Sequence, residues 1–116
     1  MTVIGTEYEH PVYGDDIGAA IEADDIDAMC VMNGAGVPWD PEEPTRAAEC
    51  GSFMALQKCA DLGHFPTANT FMAAVESDRL DMLEWMLEFT PVPPGLEWVR
   101  SEAEILGKIG AVALLS

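Results

Sequence analysis

Cysteine and histidine have the widest chemical reach of any side chains here, and the chain carries few of them. Cys30, Cys50 and Cys59 make an odd count, which argues against a closed disulfide framework. No CxxC pair occurs, and His10 and His64 lie far apart along the chain. A Cys/His zinc site would need the fold to gather scattered residues. Reduced thiols, some of them serving as small core residues, are the expected reading. Cys50 has no histidine close in sequence to activate a thiolate. The pairs Asp15–Asp16 and Asp24–Asp25 have the residue type for metal carboxylates, but each fits helix capping better. The first pair precedes a helix, whose N-terminus favours negative charge, and the second lies in a turn ahead of another.

The remaining motifs of catalysis are missing. There is no P-loop, GxGxxG, HExxH, GxSxG or EF-hand pattern. "GAG" at 34–36 ends a helical stretch rather than opening one, so it makes a poor phosphate cradle. The chain is not expected to be an enzyme, and no cofactor or metal is expected.

Charge is the strongest compositional signal. There are 21 acids against 5 bases, a formal net charge of −16. Positions 1–45 hold 11 acids and no Lys or Arg; positions 46–116 hold 10 acids and all 5 bases. Such a surface repels nucleic acid, whose binding requires cations to neutralise phosphates, and it attracts a basic protein partner. Acidity also keeps a small protein soluble. No apolar run reaches 18 residues, so no membrane span is expected. The first residues lack a basic start and a continuous apolar segment, so no signal peptide is expected and the expected compartment is the cytoplasm.

These side chains must be positioned by elements, and the elements repeat. "AAECGSFMALQKCADLG" at 47–63 returns 27 residues later as "AVESDRLDMLEWMLEFT". Stepping back 27 residues gives "AIEADDIDAMCVMNGAG", and forward 29 gives "AEILGKIGAVALL". Counting Ala20, Ala47, Ala74 and Ala103 as first places, the seventh, tenth and thirteenth places are apolar in all four units. They are Ile26, Met29 and Met32; Phe53, Leu56 and Cys59; Leu80, Leu83 and Met86; Ile109, Val112 and Leu115. The fifth place is Asp24, Gly51, Asp78 or Gly107, residues suited to a tight turn. The seventeenth is Gly36, Gly63 or Thr90, with Pro38, Pro66 and Pro93 following. Each unit therefore reads as a short helix bearing small residues, a turn, a second helix with the apolar row, and a Gly/Pro loop. Helices this short are marginal alone, and stacking is what buries the row. The methionines are expected in the core as a set, with Met54 and Met82 the two candidates for exposure. Trp85 is expected over the flank of the stack, and Trp98 where the last unit begins.

The small residues, the Gly turn, the bulky helix and the terminal Gly of 47–63 resemble an ankyrin repeat. "GVPWD" at 36–40 is similar to the Cys-Pro-Trp-Asp loop of a divergent ankyrin subclass abundant in large DNA viruses and some protists, with Val37 in place of the Cys. The resemblance covers roughly residues 15–116. It implies an all-α, short helix-turn-helix solenoid of about four repeats, with units at roughly 15–37, 38–65, 66–92 and 93–116. It also implies a protein-binding role through loops and first-helix faces. The spacing is shorter than the usual ~33 residues and the Thr-Pro-Leu-His signature is absent, so the hairpin finger is expected to shrink to a tight loop. Another α-helical repeat or an irregular helical bundle fits the same pattern. The fourth unit is expected to cap the stack with an unusually apolar row, leaky or covered by a partner. Residues 1–14 form an N-terminal extension that either pairs as an extended segment or packs Val12 and Tyr13 on the first unit.

The expected function is therefore non-catalytic binding of another protein, one with a basic surface. The residues expected to contribute are Asp24, Asp25, Trp39, Asp40, Glu42 and Glu43. All three tryptophans read first as packing residues; Trp39 is the preferred candidate for an aromatic anchor, because acids adjoin it and Trp is enriched at binding hot spots. "DPEEP" at 40–44 is read as a rigid acidic loop leading to a helix at Thr45. The rival reading makes acidity the function: a nucleic-acid mimic, akin in size and charge to immunity or anti-defence proteins, blocking a basic nuclease or nucleic-acid-binding enzyme. Acids lining one continuous face would favour that rival.

Overall fold

A computed structural model describes residues 9–116. They form α1 (Ile17–Glu22), α2 (Ile26–Gly34), α3 (Glu43–Glu49), α4 (Phe53–Asp61), α5 (Ala68–Glu76), α6 (Leu80–Phe89), α7 (Leu96–Ile105) and α8 (Ile109–Leu115). Among the described residues there is no strand, only an isolated bridge between His10 and Gly14. The fold is all-helical. No helix among them is long and apolar enough to cross a membrane.

Local chemistry sets the chain reversals. Each odd-numbered helix meets the next helix through a turn whose middle residue is left-handed: Asp24 at φ 57°, Gly51 at 73°, Asp78 at 56° and Gly107 at 74°. Glycine accepts this region freely, and Asp is among the few other residues that visit it. The following N–H then reaches back to the first-place alanine. Asp25, Ser52, Arg79 and Lys108 donate to the carbonyls of Ala20, Ala47, Ala74 and Ala103 at 2.9–3.0 Å. This six-to-one bond, repeated four times, closes orphan carbonyls at the helix end. The four alanine side chains are fully buried, which lets neighbouring helices approach closely.

Odd-numbered helices pack side by side, α1 on α3, α3 on α5 and α5 on α7, and form one layer. Each also packs on its even partner, and α2 touches α4 as α6 touches α8. The result measures 57 × 23 × 21 Å, and its radius of gyration of 15.5 Å exceeds the ~13 Å of a compact domain this long. The core is a strip between the layers. Ile17, Ile21, Phe71, Val75 and Val99 enter it from one side, and Met29, Met32, Leu56, Leu83 and Met86 from the other.

Two sequence expectations need correction. The apolar row is tilted: the ninth, tenth and thirteenth places face inward, while the seventh lies at the edge. Thus Ala28, Ala55, Met82 and Ala111 are buried, whereas Leu80 is 41% and Ile109 83% exposed. At 100° per residue the seventh place falls about 120° from the centre of the inward stripe, so it points along the stack. Met82 is therefore core, in line with the reading of the methionines as a set, and Met54 is exposed. Helix α3 begins at Glu43 rather than Thr45, because Pro44 suits a first helical turn.

Of the proposed 1–14 extension, residues 1–8 lie outside the described residues. The rest forms a small turn. Its Tyr13 packs against the core and donates from its hydroxyl to Asp25 Oδ2 at 2.9 Å, while Val12 stays exposed.

Candidate functional site

The first-helix layer carries an open groove of about 720 Å³. Its floor includes Met72 and Ala73 of α5, and its walls come from α1, α3 and the loop before α3. Six of its lining side chains are acids, Glu22, Asp40, Glu42, Glu43, Glu49 and Glu76, against the single cation Arg46.

Of the six residues expected to bind a partner, the fold brings Asp40, Glu42 and Glu43 to this groove and leaves Asp24, Asp25 and Trp39 outside its lining. All six have duties within the chain. Asp24 Oδ1 accepts from the Ala55 N–H at 3.0 Å, tying the first turn to the start of α4. Asp25 caps α2 through the Ala28 N–H at 3.1 Å and also holds Tyr13. Asp40 Oδ1 accepts from the Glu42 N–H at 2.8 Å, which bends the loop into α3.

Glu42 is a hub. Its Oε1 accepts from Thr45 Oγ1 at 2.7 Å and from Thr67 Oγ1 at 2.8 Å. The fully buried Thr70 completes the cluster: its Oγ1 lies 2.8 Å from Thr45 Oγ1 and accepts from the Thr67 N–H at 3.0 Å. This polar knot clasps the loop before α3 to the N-terminus of α5.

Glu43 is buried, contrary to its expected place on the surface, and its Oε1 accepts from Arg46 Nε at 3.2 Å. Burial pushes its carboxyl above the ordinary carboxylate range, and the Arg46 charge opposes that. Arg46 Nη1 also donates to Glu22 Oε2 at 2.7 Å, so one guanidinium bridges α1 and α3. Gly18 makes room for it, since a Cβ there would sit 2.7 Å from Arg46 Nε.

Trp39, the expected anchor, lies flat on His64, with centroids 3.8 Å apart and planes 7° apart. It is half-buried against the core, and its Nε1 is enclosed with no acceptor. Burial lowers the His64 pKa, so the neutral ring is the favoured stacking partner near neutral pH. This geometry makes Trp39 a fastener between two inter-pair loops.

The thiols divide as burial dictates. Cys59 is enclosed and its pKa is pushed up to about 12, while Cys30 and Cys50 are exposed. Among the described residues, no group of three or more His, Cys, Asp or Glu is placed to hold a metal.

Sequence reasoning missed two features. First, Arg79 and Lys108 stand at second-helix N-caps yet reach back to the preceding turn. Arg79 Nη1 donates to the Gly51 carbonyl at 3.3 Å, and Lys108 Nζ meets the Asp78 carboxylate at 3.0 Å. The signal was a base at the sixth place in two units. Second, Glu22, Glu49 and Glu76 all occupy the third place, one at or near the end of each of the first three odd helices, and all line the groove. Glu49 and Glu76 are exposed and, among the described residues, take no ion pair or side-chain hydrogen bond. Reading "AIE", "AAE" and "AVE" in register would have found them.

Compared with family models, with curated proteins and with solved structures, the chain matches none.

Proposed function

We propose that the chain is a short ankyrin-like helix-turn-helix solenoid of about four repeats. On this reading it is a non-catalytic interaction module that seats a basic segment of another protein along the first-helix groove. The observation that carries the reading is the third-place carboxylate row. One acid on each of the first three odd helices follows the inter-helix spacing of ~8–10 Å beside the apolar Met72 and Ala73. Apolar floor and charged rim are the usual division of labour in a protein interface, with the rim setting encounter rate and partner choice.

The acid surplus supports a second reading, the nucleic-acid-mimic inhibitor. Four of the five bases, Arg46, Lys58, Arg79 and Lys108, are already in internal ion pairs, so among the described residues most acids have no cation partner. Capture from source-cell lysate separates the two. The bait is wild type beside Glu49→Lys/Glu76→Lys, at low and high salt. A partner held by wild type and lost by the variant supports the groove; equal capture by both refutes it. A captured nuclease that competing DNA releases would favour the mimic.

A further inference from the structure

The acidic groove does not end at its carboxylates. Asn69, Met72, Ala73 and Glu76 all line it, and their spacing puts them on one stripe of α5. Glu76 stands at one end of that stripe and Asn69 at the other, about 10 Å away along the helix. Asn69 is also a wall of a second hollow. That hollow, of about 300 Å³, lies between the loops that lead into α5 and α7, and its other walls are Pro66, Thr67, Ala68, Pro93 and Pro94. The two loops can draw together because Gly95 has no side chain: a Cβ there would sit 3.3 Å from the Ala68 Cβ. Phe65 and Val92, one residue before Pro66 and Pro93, are 49% and 63% exposed, so apolar character extends along both loops. Both loops join consecutive helix pairs, and neither lies at a chain end.

Groove and hollow are thus one surface of two characters, carboxylates at one end and proline rings at the other, joined at Asn69. The junction is braced. Thr67 of the hollow donates to Glu42 of the groove at 2.8 Å, and its N–H donates to the buried Thr70 Oγ1 at 3.0 Å. Asn69 lies between these threonines in sequence and is exposed, and among the described residues its side-chain amide takes no hydrogen bond. An amide offers a carbonyl acceptor and N–H donors together. A helical ligand has few main-chain groups to meet it, because its own ladder uses them. An extended chain presents a free C=O and N–H, which one amide can hold. The rest of the occupant follows from the two ends. Charge complementarity sets a cation against Glu49 and Glu76. The hollow has room for one large apolar side chain, since ~150 Å³ is enough to enclose benzene. An extended chain covers ~3.3 Å per residue, so Glu76 to Asn69 takes about three residues and the hollow about one or two more.

We propose, resting on the groove reading above, that the partner segment is an extended chain with a basic residue against Glu49 and Glu76, a large apolar residue about four or five positions away in the proline hollow, and its backbone held between them by Asn69. A displayed library of random dodecapeptides, selected on the full chain and in parallel on Glu49→Lys/Glu76→Lys, tests this. Peptides enriched by the wild type should share a Lys or Arg and a large apolar residue at that fixed offset. For one such peptide, made synthetically and followed by fluorescence anisotropy, Asn69→Ala should weaken binding about tenfold, and Pro94→Gln about as much. Replacing the peptide's apolar residue by Ala should cost a similar factor on the wild type and little more on Pro94→Gln, because both changes remove one contact. Asn69 and Pro94 are exposed, so both variants should keep the wild-type helical circular dichroism. Basic peptides with no fixed apolar position overturn the inference and leave the groove reading standing. So does full binding by Asn69→Ala, or an apolar residue whose loss adds to that of Pro94→Gln. A library that yields no peptide, or only peptides that Glu49→Lys/Glu76→Lys binds equally, overturns the groove reading and the inference with it.

Discussion

Arg46 is the only cation in a groove of acids, and its replacement by Met tests whether it holds the buried Glu43 carboxylate in place. Met keeps much of the aliphatic stem and removes the charge. Two contacts go. Glu22–Arg46 joins side chains 47% and 44% exposed, so solvent screening limits it to about 0.5 kcal/mol. Glu43 is different, with a side chain only 8% exposed. Stripping one partner from a buried pair costs about 3–5 kcal/mol. Water reaches the Arg46 side of this one, so about 2 kcal/mol is the better figure. The sum, about 2–3 kcal/mol, should lower the melting temperature by roughly 10 °C and the urea midpoint by about 1–2 M. The pH dependence gives the sharper check. Burial already raises the Glu43 pKa above its unfolded value, and losing Arg46 raises it further. A carboxyl with a raised folded pKa contributes stability below its unfolded pKa and loses that contribution as pH rises through the folded one. The cost of Arg46→Met should therefore be largest at pH 7.5 and clearly smaller at pH 5. Adding Glu43→Gln should recover at least about 1 kcal/mol at pH 7.5, since the amide needs no counter-charge. Urea unfolding of wild type, both single variants and the double variant at the two pH values measures all of this. A pH-independent cost, or no rescue by Gln, would refute the buried-carboxylate argument.

Gly51→Ala should cost about 1–2 kcal/mol in urea unfolding, because φ 73° strains any Cβ and the new methyl would meet Arg79 Nη1 at 3.1 Å. Leu83→Ala should cost about 2–5 kcal/mol and Leu80→Ala about 1 kcal/mol or less, since the first is fully buried and the second lies at the edge. With Ellman's reagent on native protein, the exposed Cys30 should react first, Cys50 more slowly because partial burial and then Glu22 and Glu49 push its thiol pKa up, and Cys59 only after denaturant is added, because burial holds its pKa near 12. Trp39 emission, read as the difference between wild type and Trp39→Phe, should fall on acidification as the stacked His64 gains its proton. Burial lowers that pKa, so the midpoint should lie below 6.5.

What could be read from the sequence was local. Asp24, Gly51, Asp78 and Gly107 were identifiable as turn residues because tolerance of positive φ belongs to the residue itself, and all four adopt it. The first-place alanines followed from size alone. The inward stripe was less legible. The seventh and ninth places both carry apolar residues, and only the stacking direction tells an edge position such as Leu80 from a core position such as Met82. Long-range polar bonds were least legible. Arg79 reaches Gly51, Lys108 reaches Asp78 and Glu42 reaches Thr67, in each case a residue at least 25 positions away. No periodicity of hydrophobicity encodes such partners. Glu43 shows the same limit, since a run of acids looks like surface until Arg46, three residues on, is seen to neutralise one member.

These bonds also reorder the candidate site. A carboxylate that caps a helix, closes a turn or anchors hydroxyls cannot be redirected to a partner without loosening the fold. Asp24, Asp25, Glu42 and Glu43 are obligated in this way. Glu49 and Glu76 carry no such obligation, and each occupies its helix at the place Glu22 occupies in α1. On the proposed reading, replacing either should weaken capture of the partner while leaving stability within about 0.5 kcal/mol, the range of surface substitutions away from special contacts. The acids written most densely in the sequence are therefore largely tied into the fold, and Glu49 and Glu76 are the ones the proposed binding role would use. The same third place changes to Ile105 in the last pair, which is where the acidic groove gives way to an apolar end.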